Sequence, residues 1–206
     1  MAKREQIIRG CFWGLIIGTL VAWACILRLQ IPIGAGPMGE LHKAKGIYLA
    51  LKMYAGDHDG KFPSMRPDGS PITTANQAYR TLIPKYVQTE KIFYIKDSAW
   101  TPKEPDDDIK GDRKLAAGEN AFAYVPNLTD VSNPNFPLVA TGFLEGKPGA
   151  YGDDPTVKGG ISKGDGVVVV RVDGSGMFER LEKHDGDLFN PTSEWLAPNQ
   201  VPLNPE

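Results

Sequence analysis

A chain of 206 residues with a net charge of −2 accommodates an N-terminal segment and one domain with a real core. Lys3, Arg4, Arg9 and Arg28, set against Glu5, put positive charge into the first 28 residues and leave about −5 on the rest, which excludes a basic surface for nucleic acid. The two cysteines, Cys11 and Cys25, would lie about 21 Å apart on one helix, so they cannot form a disulfide with each other, and the remainder of the chain has no thiolate for a metal.

In chain order, a basic segment (1–9) precedes Gly10 to Leu27, which carries no charged side chain. As a helix that run is about 27 Å long, close to the roughly 30 Å of a bilayer core, and the predicted element is a single transmembrane helix over 10–29. The excess of Lys and Arg before it orients the N-terminus to the cytoplasm and the rest outward. Ala22-Trp23-Ala24 before Cys25 loosely fits a signal or lipoprotein cleavage site, but bulky Trp23 and the length of the run favour a retained anchor. Gly10, Gly14, Gly18 and Ala22 recur every fourth residue. They make a small-residue stripe where a second helix can approach, from this chain's own kind or another protein.

A Pro/Gly hinge (30–39) follows. Leu41, Ala44, Tyr48, Leu51 and Ala55 then fall at steps of three and four, predicting an amphipathic helix from Glu40 to Ala55 that Gly56-Asp57-His58-Asp59-Gly60 stops. Thr74 is a cap for a shorter helix ending before Pro84. Ile92–Ile95, Ala121–Val125 and Leu138–Phe143 read as strands, and Pro102–Lys114 as a surface loop. Val167–Val172, the turn Asp173-Gly174-Ser175-Gly176 and Met177–Leu181 predict a hairpin. The tail from Asn190 holds Pro191, Pro198, Pro202 and Pro205 and is expected to be irregular. Helices followed by strands imply an α+β domain over 40–189, the long helix lying on a small antiparallel sheet.

These elements carry a resemblance. Ala44–Ala55 running into Asp57-His58-Asp59-Gly60-Lys61-Phe62-Pro63, then Leu82–Val87, Ala99-Trp100-Thr101-Pro102, Gly118–Tyr124 and Val172–Gly176, together resemble the bacterial type IV pilin-like family. Pseudopilin-like proteins related to type II secretion are the nearest in kind. The resemblance covers about residues 40–181 and rests on the order of these words. It implies a pilin-like fold, bacterial inner-membrane localisation with a periplasmic head, and partnership with other pilin-like or envelope proteins. It also makes Gly10 and Cys11 a degenerate prepilin processing site. Leu15 stands where the family carries glutamate, which departs from the pattern for ordinary filament subunits.

No catalytic set is recognised. His42, on a helix face beside Lys43, reads as solvated, and His184-Asp185-Gly186-Asp187 as a polar turn. Asp57-His58-Asp59-Gly60 lacks the remaining ligands of a calcium loop. Asp106-Asp107-Asp108 and Asp153-Asp154 are acidic loop clusters. The family suggests calcium for the latter, but the spacing here gives no ligand set. Ser175 sits in a strand–turn–strand context, unlike a nucleophile elbow. No metal and no cofactor are therefore expected. The expected function is a non-enzymatic, membrane-anchored pseudopilin-like subunit or accessory protein of a secretion- or pilus-type assembly, with homo-oligomerisation as one form of partnership. The alternative is an anchored binding module for polysaccharide or a surface protein, using Trp100, Tyr124, Tyr151 and Trp195 as stacking surfaces. A hydrolase is a third reading, with no reaction class to attach to it.

Overall fold

Pro37 opens a helix instead of closing a hinge. The computed structural model describes residues 36–111, 113–161, 166–184, 187–189 and 201–206, and in it helix α1 runs from Pro37 to Gly56. Proline at the first helical position lacks only an N–H that would have no intrahelical partner there. Ala44, Ile47, Leu51 and Ala55 are fully buried and seat α1 against the strands that follow. Burial of Ile47 and Leu51 contributes about 1.5–3 kcal/mol each.

Helix α2 (Ala75–Arg80) is short. The Thr74 hydroxyl accepts the Gln77 N–H at 3.3 Å, which satisfies one open donor of its first turn. Tyr79 is fully buried and its OH donates to the Ala123 carbonyl at 2.8 Å. A single 3₁₀ turn at Glu90–Ile92 stands where a strand over Ile92–Ile95 is predicted. The Thr89 hydroxyl takes the Lys91 N–H and Asp107 takes the Glu90 N–H, so this backbone is bonded as a turn.

Strands β1 (Phe122–Tyr124) and β2 (Pro137–Thr141) come next, then the two-residue β3 (Ala150–Tyr151), β4 (Gly166–Arg171), β5 (Gly176–Arg180), β6 (Glu182–His184) and β7 (Asp187–Phe189). The main sheet has the order β1-β2-β4-β5 and a second has β3-β7-β6. All pairings are antiparallel, with Ala123 opposite Ala140, Val139 opposite Val170 and Val168 opposite Phe178. Both faces of the main sheet are covered. Val168, Val170 and Val172 join the core that includes α1. Val167 and Val169 join a smaller cluster with Ala123, Ala140, Phe143 and Tyr151. Burial on both sides is why β4 reads as an unbroken apolar run.

The expected fold class is corrected. In place of a transmembrane helix followed by a pilin-like helix-on-sheet domain, the described residues form a helix-poor head. It has two α-helices, a four-stranded antiparallel sheet and a second, three-stranded one. No helix among the described residues is long and apolar enough to cross a membrane. The segment 10–29, on which that element is predicted, lies outside the described residues, as do Gly10, Cys11, Gly14, Gly18 and Ala22.

Candidate functional site

The stop of α1 builds a surface concavity in the head. The helix ends because the chain turns left-handed: Asp59 has φ 53° and Gly60 φ 77°, while the Gly60 N–H reaches back to the Ala55 carbonyl at 2.8 Å. Asp59 tolerates that conformation better than most residues and Gly60 adopts it freely. The Phe62 N–H then donates to the Leu128 carbonyl at 3.2 Å and the Asp130 N–H to the Gly60 carbonyl at 2.8 Å. These bonds tie the turn to the 128–130 loop, and the turn borders a cavity of about 350 Å³, lined by Tyr54, His58, Asp59, Lys61, Ser64 and Met65 among others.

Its wall is aromatic. The rings of Tyr54 and His58 stack with centroids 3.8 Å apart and an interplanar angle of 4°. They lie four residues apart at a helix end, so both side chains project from one face. His58 Nδ1 donates to the Tyr54 carbonyl at 2.7 Å, which fixes the imidazole plane. Tyr86 meets Tyr54 edge-on at 5.9 Å. Asp57 accepts from Lys85 Nζ and from Tyr86 OH, each at 2.8 Å. Those side-chain bonds, the lysine's first, hold the Asp57 carboxyl below its usual range, and the same bond raises Lys85. Partial burial pushes the Tyr54 phenol up. The result is a surface hollow with a flat aromatic wall, a carboxylate and a lysine at its rim. It suits stacking and hydrogen bonding to a ligand.

The other predicted residues are dispersed. His42 is exposed on α1, and Ser175 sits in the β4–β5 turn with its N–H on Asp173 at 2.7 Å. Asp107 caps the 3₁₀ turn, Asp106 receives the Asp108 N–H, and Asp154 receives both the N–H and the hydroxyl of Thr156. Among the described residues no three His, Cys, Asp or Glu side chains are gathered so as to hold a metal. Trp100, Tyr124 and Tyr151 are buried at 2%, 0% and 1% exposure. They are core residues and present no stacking surface, which corrects the reading that placed them in a binding face. Trp195 lies outside the described residues.

Sequence reasoning missed Tyr54 and Tyr86 as site residues. The i, i+4 placement of Tyr54 and His58 at a helix stop was the available signal. No protein-family model, no curated protein and no solved structure matches this chain.

Proposed function

We propose that this protein is a non-enzymatic subunit or accessory protein of a secretion- or pilus-type envelope assembly. It would be held at the bacterial inner membrane by its apolar N-terminal run, with the head on the extracytoplasmic side. One observation carries the reading: Met38, Leu49 and Met53 are 65%, 60% and 58% exposed on α1. At about 100° per residue they fall within an arc of about 60°, opposite the face that α1 buries on the sheet. A helix with an apolar stripe on its outer side is fitted to lie against another subunit. The resemblance of residues 40–181 to pseudopilin-like proteins supports the same partner class. The test is the full chain carrying Leu49→Glu and Met53→Glu, purified from its native membrane. Loss of co-purifying envelope proteins with unchanged thermal unfolding is expected. Unchanged co-purification, or no envelope partner with the wild type, overturns the reading.

The stacked Tyr54–His58 wall favours a second reading, a binding module for polysaccharide or a surface protein. Glycan-array binding lost on Tyr54→Ala would support it, and an array with no wild-type binding would remove its polysaccharide arm.

A further inference from the structure

Residues 201–206 are gripped one after another by the head. Leu203 and Tyr124 exchange backbone hydrogen bonds at 2.7 and 2.9 Å. The segment thus adds an antiparallel rung to β1, the edge strand of the main sheet. The Asn204 side chain accepts the Phe143 N–H at 3.0 Å and donates to the Phe143 carbonyl at 3.2 Å, while its own carbonyl accepts the Ala75 N–H at 2.9 Å. The Glu206 carboxylate takes Arg80 through both Nη atoms, at 3.2 and 2.7 Å, and the Thr74 hydroxyl at 2.6 Å. The Glu206 N–H donates to Asn76 Oδ1 at 3.2 Å and its carbonyl accepts the Gly118 N–H at 3.1 Å. Pro202 and Pro205 are buried between these anchors.

An edge strand, an amide clamp and a guanidinium–hydroxyl pocket in a row make a built peptide site, the arrangement by which sheet edges take up a short extended segment. Every anchor is supplied by residues more than 55 positions earlier in the chain, so the groove recognises the segment and not its attachment. The last residue described before Val201 is Phe189. The twelve peptide steps between them reach up to about 40 Å. That matches the diameter of about 40 Å for a head of this length, so the groove of an adjoining copy is within range.

We infer that this groove is an exchangeable acceptor, which takes residues 201–206 of a second copy of the chain in place of its own and so links copies tail to edge. The same bonds form in either arrangement, so the balance is set by concentration: isolated copies keep the tail in cis and crowded copies trade it. Because donor segment and acceptor groove are different surfaces, the contact is head-to-tail and can propagate. The inference does not depend on the envelope reading.

The test uses two charge-reversed full chains, Arg80→Glu and Glu206→Arg. Each has like charges facing in cis, whereas a mixture offers only opposite charges in trans, in both directions. The mixture should form a species of twice the mass, beyond any association either variant shows alone, and the Arg80→Glu/Glu206→Arg double variant should not need a partner. A mixture that stays unassociated while the double variant folds overturns the inference. Arg80 also donates to the carbonyls of Lys114 and Leu115, so its reversal can cost folding, and a second measurement leaves the groove intact. Light and ¹⁵N-labelled chains are mixed, each with a photo-crosslinking residue at Val201, which is 63% exposed. Light–heavy crosslinks to the β1 peptide that rise with concentration are expected. Crosslinks confined to single-isotope pairs at every concentration overturn it.

Discussion

Arg171 and Glu179 meet across the β4–β5 hairpin with Nη2 2.5 Å from Oε1, and their side chains are only 12% and 2% exposed. The register sets Val167 opposite Glu179 and Val169 opposite Met177, so the two charges lie diagonally on the sheet face that carries Val167 and Val169. A buried ion pair thus spans an otherwise apolar face, from Arg171 at its turn end to Glu179 opposite Val167.

Removing one member of that pair should cost far more than removing both. Glu179→Ala strands a guanidinium among apolar groups, and the expected loss is about 3–5 kcal/mol. Arg171→Met with Glu179→Leu discards both desolvation costs along with the attraction, and should be neutral or stabilising by about 1–4 kcal/mol. Urea unfolding of the three chains checks this. Equal losses in the single and double variants would contradict it.

Glu90 should leave a pH signature. It is fully buried, one carboxylate oxygen accepts the Leu115 N–H, and burial raises its carboxyl above the usual range, with Glu119, Asp106 and Asp107 adding to the effect. A carboxyl raised in the folded state holds its proton to higher pH than the unfolded chain does. Its contribution to stability is therefore present below the ordinary glutamate range of about 4.3 and is lost as pH rises through the folded value. Glu90→Gln cannot ionise, so its stability relative to wild type should improve steadily from pH 4 to pH 7 in denaturant titrations. A difference that is flat in pH would show that Glu90 is not perturbed.

What could be read in advance divides by the range of the forces involved. The Val167–Val172 hairpin and the Thr74 cap were legible because a turn, a cap and an apolar run act within a few residues. The 3₁₀ turn at Glu90 was not, since Asp107 holds it from 17 positions away. Strands β3, β6 and β7, of two or three residues each, are too short for any periodicity. Asn76 and Glu90 look like surface residues by type, yet both are fully buried, and distant partners account for them: the carbonyls of Leu115 and Ala116, the Asn120 amide and the Glu206 N–H for Asn76, and the Leu115 N–H for Glu90. At the site, the helix stop around His58 was legible, whereas the wall formed where the Tyr54 ring stacks on His58 and meets Tyr86 edge-on depends on a residue 32 positions beyond Tyr54. Proline content alone made the tail look irregular, while the anchors that grip Leu203, Asn204 and Glu206 lie far upstream.

Gly142 stands where no side chain fits. An added Cβ would lie 2.7 Å from Trp100 Nε1, 2.9 Å from its Cδ1 and 3.2 Å from the Ala121 carbonyl oxygen, and Trp100 is 2% exposed. A rigid indole on one side and backbone on the other leave nothing soft to yield, so Gly142→Ala should cost about 1–3 kcal/mol and shift Trp100 emission to the red. Gly46→Ala is the contrast. Its Cβ would meet only the Ile92 side chain, 2.6 Å from the terminal Cδ1. That atom can move, and alanine in a helix interior gains up to about 1 kcal/mol over glycine. Near-neutral unfolding is expected there, and comparable losses at both positions would contradict the packing argument.

Asn204 separates shape from hydrogen-bond polarity in the tail. Its amide both accepts from the Phe143 N–H and donates to the Phe143 carbonyl. Asn204→Ala removes both bonds and should cost about 1–3 kcal/mol. Asn204→Asp keeps the shape and the acceptor, but at neutral pH it turns a carboxylate oxygen toward the Phe143 and Leu144 carbonyls that the amide nitrogen now faces. Ionisation is disfavoured there, so the folded state raises that carboxyl. Its stability should be nearest wild type below the ordinary aspartate range of about 3.9 and fall as pH rises through the folded value. Thermal unfolding between pH 3 and 7, each variant referred to wild type at the same pH, should show a falling difference for Asn204→Asp and a flat one for Asn204→Ala. A flat aspartate curve would mean that the amide is not clamped on Phe143, and that the tail is held by Leu203, Glu206 and the Asn204 backbone carbonyl without the Asn204 side chain.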